Sequence, residues 1–91
     1  MKVEVQLFSI LREQLPPDAV EGKITITLAE GATLADLITE LGIDQVLGYP
    51  PAELTTKAGW QVMVSGKLAT NMERVLQAGD QVRVFPPVSG G

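Results

Sequence analysis

Residues 31–42 read GATLADLITELG, and this stretch decides what kind of fold the chain can form. Thr33 stands three residues before Asp36. At that spacing a threonine oxygen and a carboxylate can each accept from the other residue's backbone N–H at the start of a helix. Leu34, Leu37, Ile38 and Leu41 follow at i, i+3, i+4 and i+7, one apolar stripe with the helical period. Gly42 supplies a left-handed stop. The spacing predicts one main helix that must bury its stripe against a second layer, and it assigns that helix no chemistry.

The rest of the chain offers strands for that layer. In KVEVQLF, residues 2–8, Val3, Val5 and Leu7 alternate with Lys2, Glu4 and Gln6 as in a half-buried strand. SILREQL, 9–15, loses the alternation. Ser9 is expected to cap a short helix there, with Ile10, Leu11 and Leu15 available to the core, and Pro16-Pro17 ends it. Residues 16–23 read as a polar loop. KITITL, 23–28, is a second strand with Ile24, Ile26 and Leu28 inward, supported by its β-branched content.

Residues 43–59, IDQVLGYPPAELTTKAG, hold no steady period and are expected to form a loop with one helical turn at 52–57. WQVMVSGK, 60–67, places Trp60, Val62 and Val64 on one face, and Ser65-Gly66 suits a tight reversal into a short fourth strand, KLA. A connection over 71–80 closes on a Gly79-Asp80 turn. QVRVF, 81–85, is the last strand, with Val82 and Val84 inward. If the first and last strands both border the helix layer, they lie side by side in the middle of one mixed sheet. The expected class is α+β, a four- to five-stranded sheet with one main helix on one face.

Composition narrows the function. Ninety-one residues make one domain, and 45% hydrophobic content suits a real core rather than disorder. With no Cys and no His, disulfides, thiolate or imidazole metal sites and histidine-dependent triads are excluded. The eleven Asp and Glu are scattered in no metal-ligand pattern. Net charge is −4, and seven scattered Lys and Arg give no basic stripe for nucleic acid. A protein partner with a basic face fits better. No apolar run reaches the roughly 18–20 residues of a membrane span, and MKVEVQLFSI has charges where a signal peptide needs an apolar stretch. The expectation is a soluble cytoplasmic protein that binds neither membrane nor nucleic acid.

Four stretches together carry a family resemblance: LFSILRE at 7–13, EGATLADLITELG at 30–42, VSGK at 64–67 and AGDQVRVFPPVSGG at 78–91. They resemble the molybdopterin synthase small subunits, of the MoaD/ThiS-type ubiquitin-like sulfur carrier family. The likeness is weakest over 43–59, and Ser65 stands where relatives often have Asn. The resemblance implies a β-grasp domain over 1–85 and an extended reactive tail over 86–91. It implies a carrier with no catalytic residues of its own and no stably bound cofactor or metal. Gly91 would be adenylated by an E1-like activating enzyme that uses ATP, then converted to a thiocarboxylate with a sulfur donor. The large synthase subunit would take up the tail, Pro86, Pro87, Val88, Ser89, Gly90 and Gly91, and pass the sulfur to a pterin precursor.

The residues of the tail suit such chemistry. A carboxylate is a poor acyl donor, so its oxygen must first become a leaving group. Six extended residues reach at most about 20 Å, and glycines at 90 and 91 let a narrow channel close around the backbone. Pro86 and Pro87 hold the base of the tail extended; they also end the last strand. By alternation Phe8, Met63 and Phe85 point away from the helix. Either they form one exposed apolar patch for a partner, or Phe8 is tucked under 43–59 and the others are scattered surface residues. Arg12, Glu73, Arg74 and Arg83 read as solvated charges. Other acceptors (thiamin, tungsten-pterin or another sulfur-containing product), a ubiquitin-like protein modifier and a plain interaction domain are the competing functions. The helix after the first strand and PPVSGG favour the pterin pathway.

Overall fold

The computed structural model describes residues 1–87. Five strands form one sheet: β1 Lys2–Leu7, β2 Lys23–Thr27, β3 Gln61–Val64, β4 Lys67–Ala69 and β5 Gln81–Phe85. Their order is β2-β1-β5-β3-β4. The first and last strands lie side by side in the centre and run parallel, with Val5 opposite Val82 and Leu7 opposite Val84. The other neighbours are antiparallel. A parallel pair needs a long crossover, and here the helices between the two central strands provide it.

Helix α1, Leu34–Glu40, begins as its sequence demands. Thr33 Oγ1 accepts from the Asp36 N–H, and an Asp36 carboxylate oxygen accepts from the Thr33 N–H. Leu34, Leu37 and Ile38 are buried against the inner face of the sheet, where Val3, Val5, Leu7, Val62, Val64, Val82 and Val84 are at most 1% exposed. Burying each such side chain stabilises by about 1.5–3 kcal/mol. The described residues include no buried polar or charged side chain.

Several expectations need correction. The short helix after β1 is a 3-10 helix, Ser9–Gln14, and Ser9 does not cap it. Phe8 occupies the cap position without a side-chain bond, while Ser9 has φ +59. Three residues per turn also change which side chains face inward: Leu11 is fully buried, but Ile10 is 55% exposed. Ile24 and Ile26 are only half-buried because β2 is an edge strand. Residues 43–59 are not a loop with one turn. They hold a second helix, α2 Ile43–Leu47, followed by a short 3-10 helix at Pro51–Glu53.

The β3–β4 reversal is the expected two-residue turn. Ser65 and Gly66 both have positive φ, as a type I′ hairpin requires. Ser65 Oγ donates to Asp80 at 2.8 Å, and the Ser65 N–H donates to the Gln81 carbonyl at 2.7 Å. The serine ties the hairpin to the start of β5.

Candidate functional site: the base of the tail and the open sheet face

Strand β5 is hydrogen-bonded on both sides, to β1 and to β3, so the chain leaves the body from the middle of the sheet. Phe85 ends the strand, Pro86 is half-buried and Pro87 is exposed. The parallel register that sets Leu7 against Val84 brings the next residues, Phe8 and Phe85, together on the outer face. Their rings stack with centroids 4.7 Å apart and planes 15° from parallel. Phe8 is therefore not tucked under 43–59; it flanks the point of exit.

Met63 shares that outer face but stands opposite Arg83, with Gln61 opposite Phe85. It lies one diagonal step from the ring pair, a spacing of about 7–8 Å that long side chains bridge. Leu68 lies across from Met63 and is 60% exposed. Sequence reasoning missed it. The signal was available, because a two-residue Ser65-Gly66 turn pairs Val64 with Lys67 and therefore Met63 with Leu68. Phe8, Met63, Leu68 and Phe85 form a strip on the helix-free face, running from the short β4 edge to the chain's exit.

The expected charges stay at the surface. Arg83 is exposed between Met63 and the ring pair, and Glu73 and Arg74 are exposed on the connection to β5. Arg12 is exposed too, but its side chain also covers a turn. A β-carbon on Gly22 would lie 3.1 Å from Arg12 Nε and 2.5 Å from the Leu7 carbonyl oxygen, so only glycine fits beneath it. A hollow of about 470 Å³ lined by Leu28, Glu30, Asp36 and Glu40 lies at the other end of the sheet, away from the tail. Among the described residues no group of three or more acidic side chains is placed to hold a metal ion, and no helix is long and apolar enough to cross a membrane. Of the expected tail residues, Val88, Ser89, Gly90 and Gly91 lie outside the described residues.

The strand order, with the first and last strands parallel at the centre and α1 across one face, is the β-grasp arrangement. Solved structures share it over nearly the whole chain or all of it. A putative molybdopterin converting factor subunit 1 from Pyrococcus furiosus is 27% identical, with a TM-score of 0.65 over 96% of this chain and 98% of its own. SAMP1 from Haloferax volcanii is 26% identical, with a TM-score of 0.62 and complete coverage of both chains. A chain in the complex of subunits 1 and 2 of the molybdopterin-converting factor from Helicobacter pylori, 24% identical with a TM-score of 0.59 and complete coverage of both, shares the fold. No curated protein matches the chain. The ThiS family matches residues 5–91, from the first strand through the tail. The chain therefore belongs to the ThiS family of ubiquitin-like sulfur carriers.

Proposed function

We propose that this chain carries sulfur for molybdopterin synthesis as the small subunit of a two-subunit synthase. The observation that carries the reading is the junction of β5 with the tail. A central strand delivers the chain, beside a stacked aromatic pair, into PPVSGG. The family match extends through that tail, and the Pyrococcus furiosus neighbour points to the pterin pathway.

The Gly91 carboxylate attacks the α-phosphate of ATP on an E1-like activating enzyme, releasing pyrophosphate and leaving an acyl adenylate. A sulfide-level sulfur nucleophile from a donor attacks the acyl carbon, displaces AMP and gives the thiocarboxylate. The large synthase subunit then draws in residues 86–91. The thiocarboxylate sulfur bonds to a carbon of the pterin precursor with loss of a leaving group there. Water cleaves the resulting thioester, which leaves the sulfur on the pterin and restores the carboxylate. The carrier supplies no acid or base to these steps. It supplies a thin acyl end, a proline-stiffened base and a docking strip, Phe8, Met63, Leu68 and Phe85, around the exit. A partner that takes up residues 88–91 must cover the neighbourhood of residue 85, which is why the strip is assigned to the large subunit.

The test is the mass of the intact chain after incubation with the activating enzyme, ATP and a sulfur donor. One oxygen-to-sulfur exchange at Gly91 is expected. An unchanged mass, under conditions that charge another family member, counts against the carrier role. The likeness to SAMP1 favours a second reading, a ubiquitin-like modifier. In that case Gly91 ends in an isopeptide bond to a lysine of a target, which tryptic mapping detects.

A further inference from the structure

The segment between α1 and β3 has no part in the reading above, yet Gly59, next to its end, lies beside the base of the tail. Leu54 is fully buried and Trp60 is 7% exposed, so both sides of the turn that leads into β3 are set in the core. The Trp60 N–H donates to the Leu54 carbonyl at 3.0 Å, and the N–H groups of Lys57 and Ala58 donate to the Glu53 carbonyl at 2.9 and 3.1 Å. Gly59 is left exposed at the corner, with φ +79. Gln61 pairs with Phe85, and the same antiparallel register continued past both strands sets residue 59 beside residue 87. A β-carbon on Gly59 would lie 3.5 Å from Pro87 Cβ and 3.6 Å from Pro87 Cγ, ordinary contact distance.

We infer that Gly59 is a positioning residue: the turn anchored by Leu54 and Trp60 is a backstop that fixes the direction in which the chain leaves the body at Pro87. The inference rests on the carrier reading of the tail. With Phe85 stacked on Phe8 and Pro87 filling the space beside Gly59 that a side chain would take, the base of the tail is oriented before a partner arrives. A partner then spends less of its binding free energy on ordering that base. A methyl group at position 59 reaches contact distance and goes no further, whereas a longer side chain takes the space Pro87 occupies. The segment's role is thus to aim the tail.

Gly59→Leu and Gly31→Leu separate this role from backbone strain. Both glycines are left-handed, at +79° and +85°, but nothing lies within 4 Å of a β-carbon at Gly31, at the opposite end of the sheet. The assay is ATP-dependent charging of each chain by the activating enzyme with a sulfur donor, with melting temperatures measured alongside. Gly59→Leu is expected to raise KM about fivefold at unchanged kcat, with Gly31→Leu and the conservative Gly59→Ala within about twofold of the original chain. If Gly59→Leu does not fold, nuclear Overhauser contacts between Gly59 and Pro87 protons in the free original chain decide the backstop, and their absence overturns it. Equal KM values for the Gly59 and Gly31 variants overturn the inference and leave the carrier reading standing. An original chain that is never charged sinks the carrier reading instead. Nuclear Overhauser contacts between Gly59 and Pro87 protons in the free chain then decide the backstop alone, and their absence overturns it.

Discussion

The two faces of the sheet use the same strands for opposite purposes. Along β5, Val82 and Val84 are each 1% exposed beneath α1, while Arg83 is exposed and Phe85 half-buried on the other side. The inner face is hydrocarbon throughout and holds the fold together. None of the described helices covers the outer face, and it gathers Phe8, Met63, Leu68 and Phe85 around the exit of the tail. Because side chains alternate with a period of two, one strand can be altered on one face without touching the other. On the proposed reading, such a two-layer domain keeps folding and partner contact on separate sets of residues.

Val84→Asp attacks the inner face most directly. It buries an unpaired carboxylate, at a cost of about 3–5 kcal/mol, a large share of the roughly 5–15 kcal/mol that holds a domain folded. Urea unfolding followed by circular dichroism should show a loss of stability of about that size. Deleting Gly90 and Gly91 is the mirror experiment. It removes no core side chain, so the same unfolding curve should not move while charging with sulfur is abolished. A deletion that unfolds the protein would erase the division between body and tail.

Phe85→Ala tests the outer face. Buried aromatic anchors near an interface centre commonly contribute about 2 kcal/mol or more, so affinity for a pterin-synthase large subunit should fall about 30-fold, as read by calorimetry. Thr33→Ala returns to the inner layer. Losing the capping-box threonine should lower stability by about 1 kcal/mol with no change in partner affinity, because α1 lies on the side of the sheet away from the strip. Smallest of all should be the effect of Arg12→Ala on partner binding. Its side chain covers the Gly22 turn and lies outside the strip, so a loss comparable to that of Phe85→Ala would move the contact surface elsewhere.

The elements that were legible in the sequence share one property: their signals lie within a few neighbouring residues. The Thr33–Asp36 box, the Leu34-Leu37-Ile38-Leu41 stripe, the alternation of β1 and β5 and the Ser65-Gly66 turn are all local, and each is found where it is written. The central pairing of the first and last strands followed too, since both must lie under the same helix. Helix α2 was not legible. It spans five residues between Gly42 and Gly48, both left-handed, too short for a period to declare itself beside two prolines. Ser9 misled for a related reason: serine is a good cap by composition, and nothing nearby shows that the chain turns there through φ +59.

By itself, then, the sequence determined the class of the fold, the inward residues of each strand and the composition of the tail, because hydrophobic periodicity and turn chemistry act over a few bonds. The tertiary structure alone decided which distant residues meet. Phe8 stacks on Phe85, 77 positions apart in the numbering, because a parallel register brings the two strand ends together. Leu68 joins Met63 through the hairpin, and Gly59 comes to lie beside Pro87 through a register continued beyond the sheet. Such contacts depend on how whole layers dock, and no short stretch of chain contains that information.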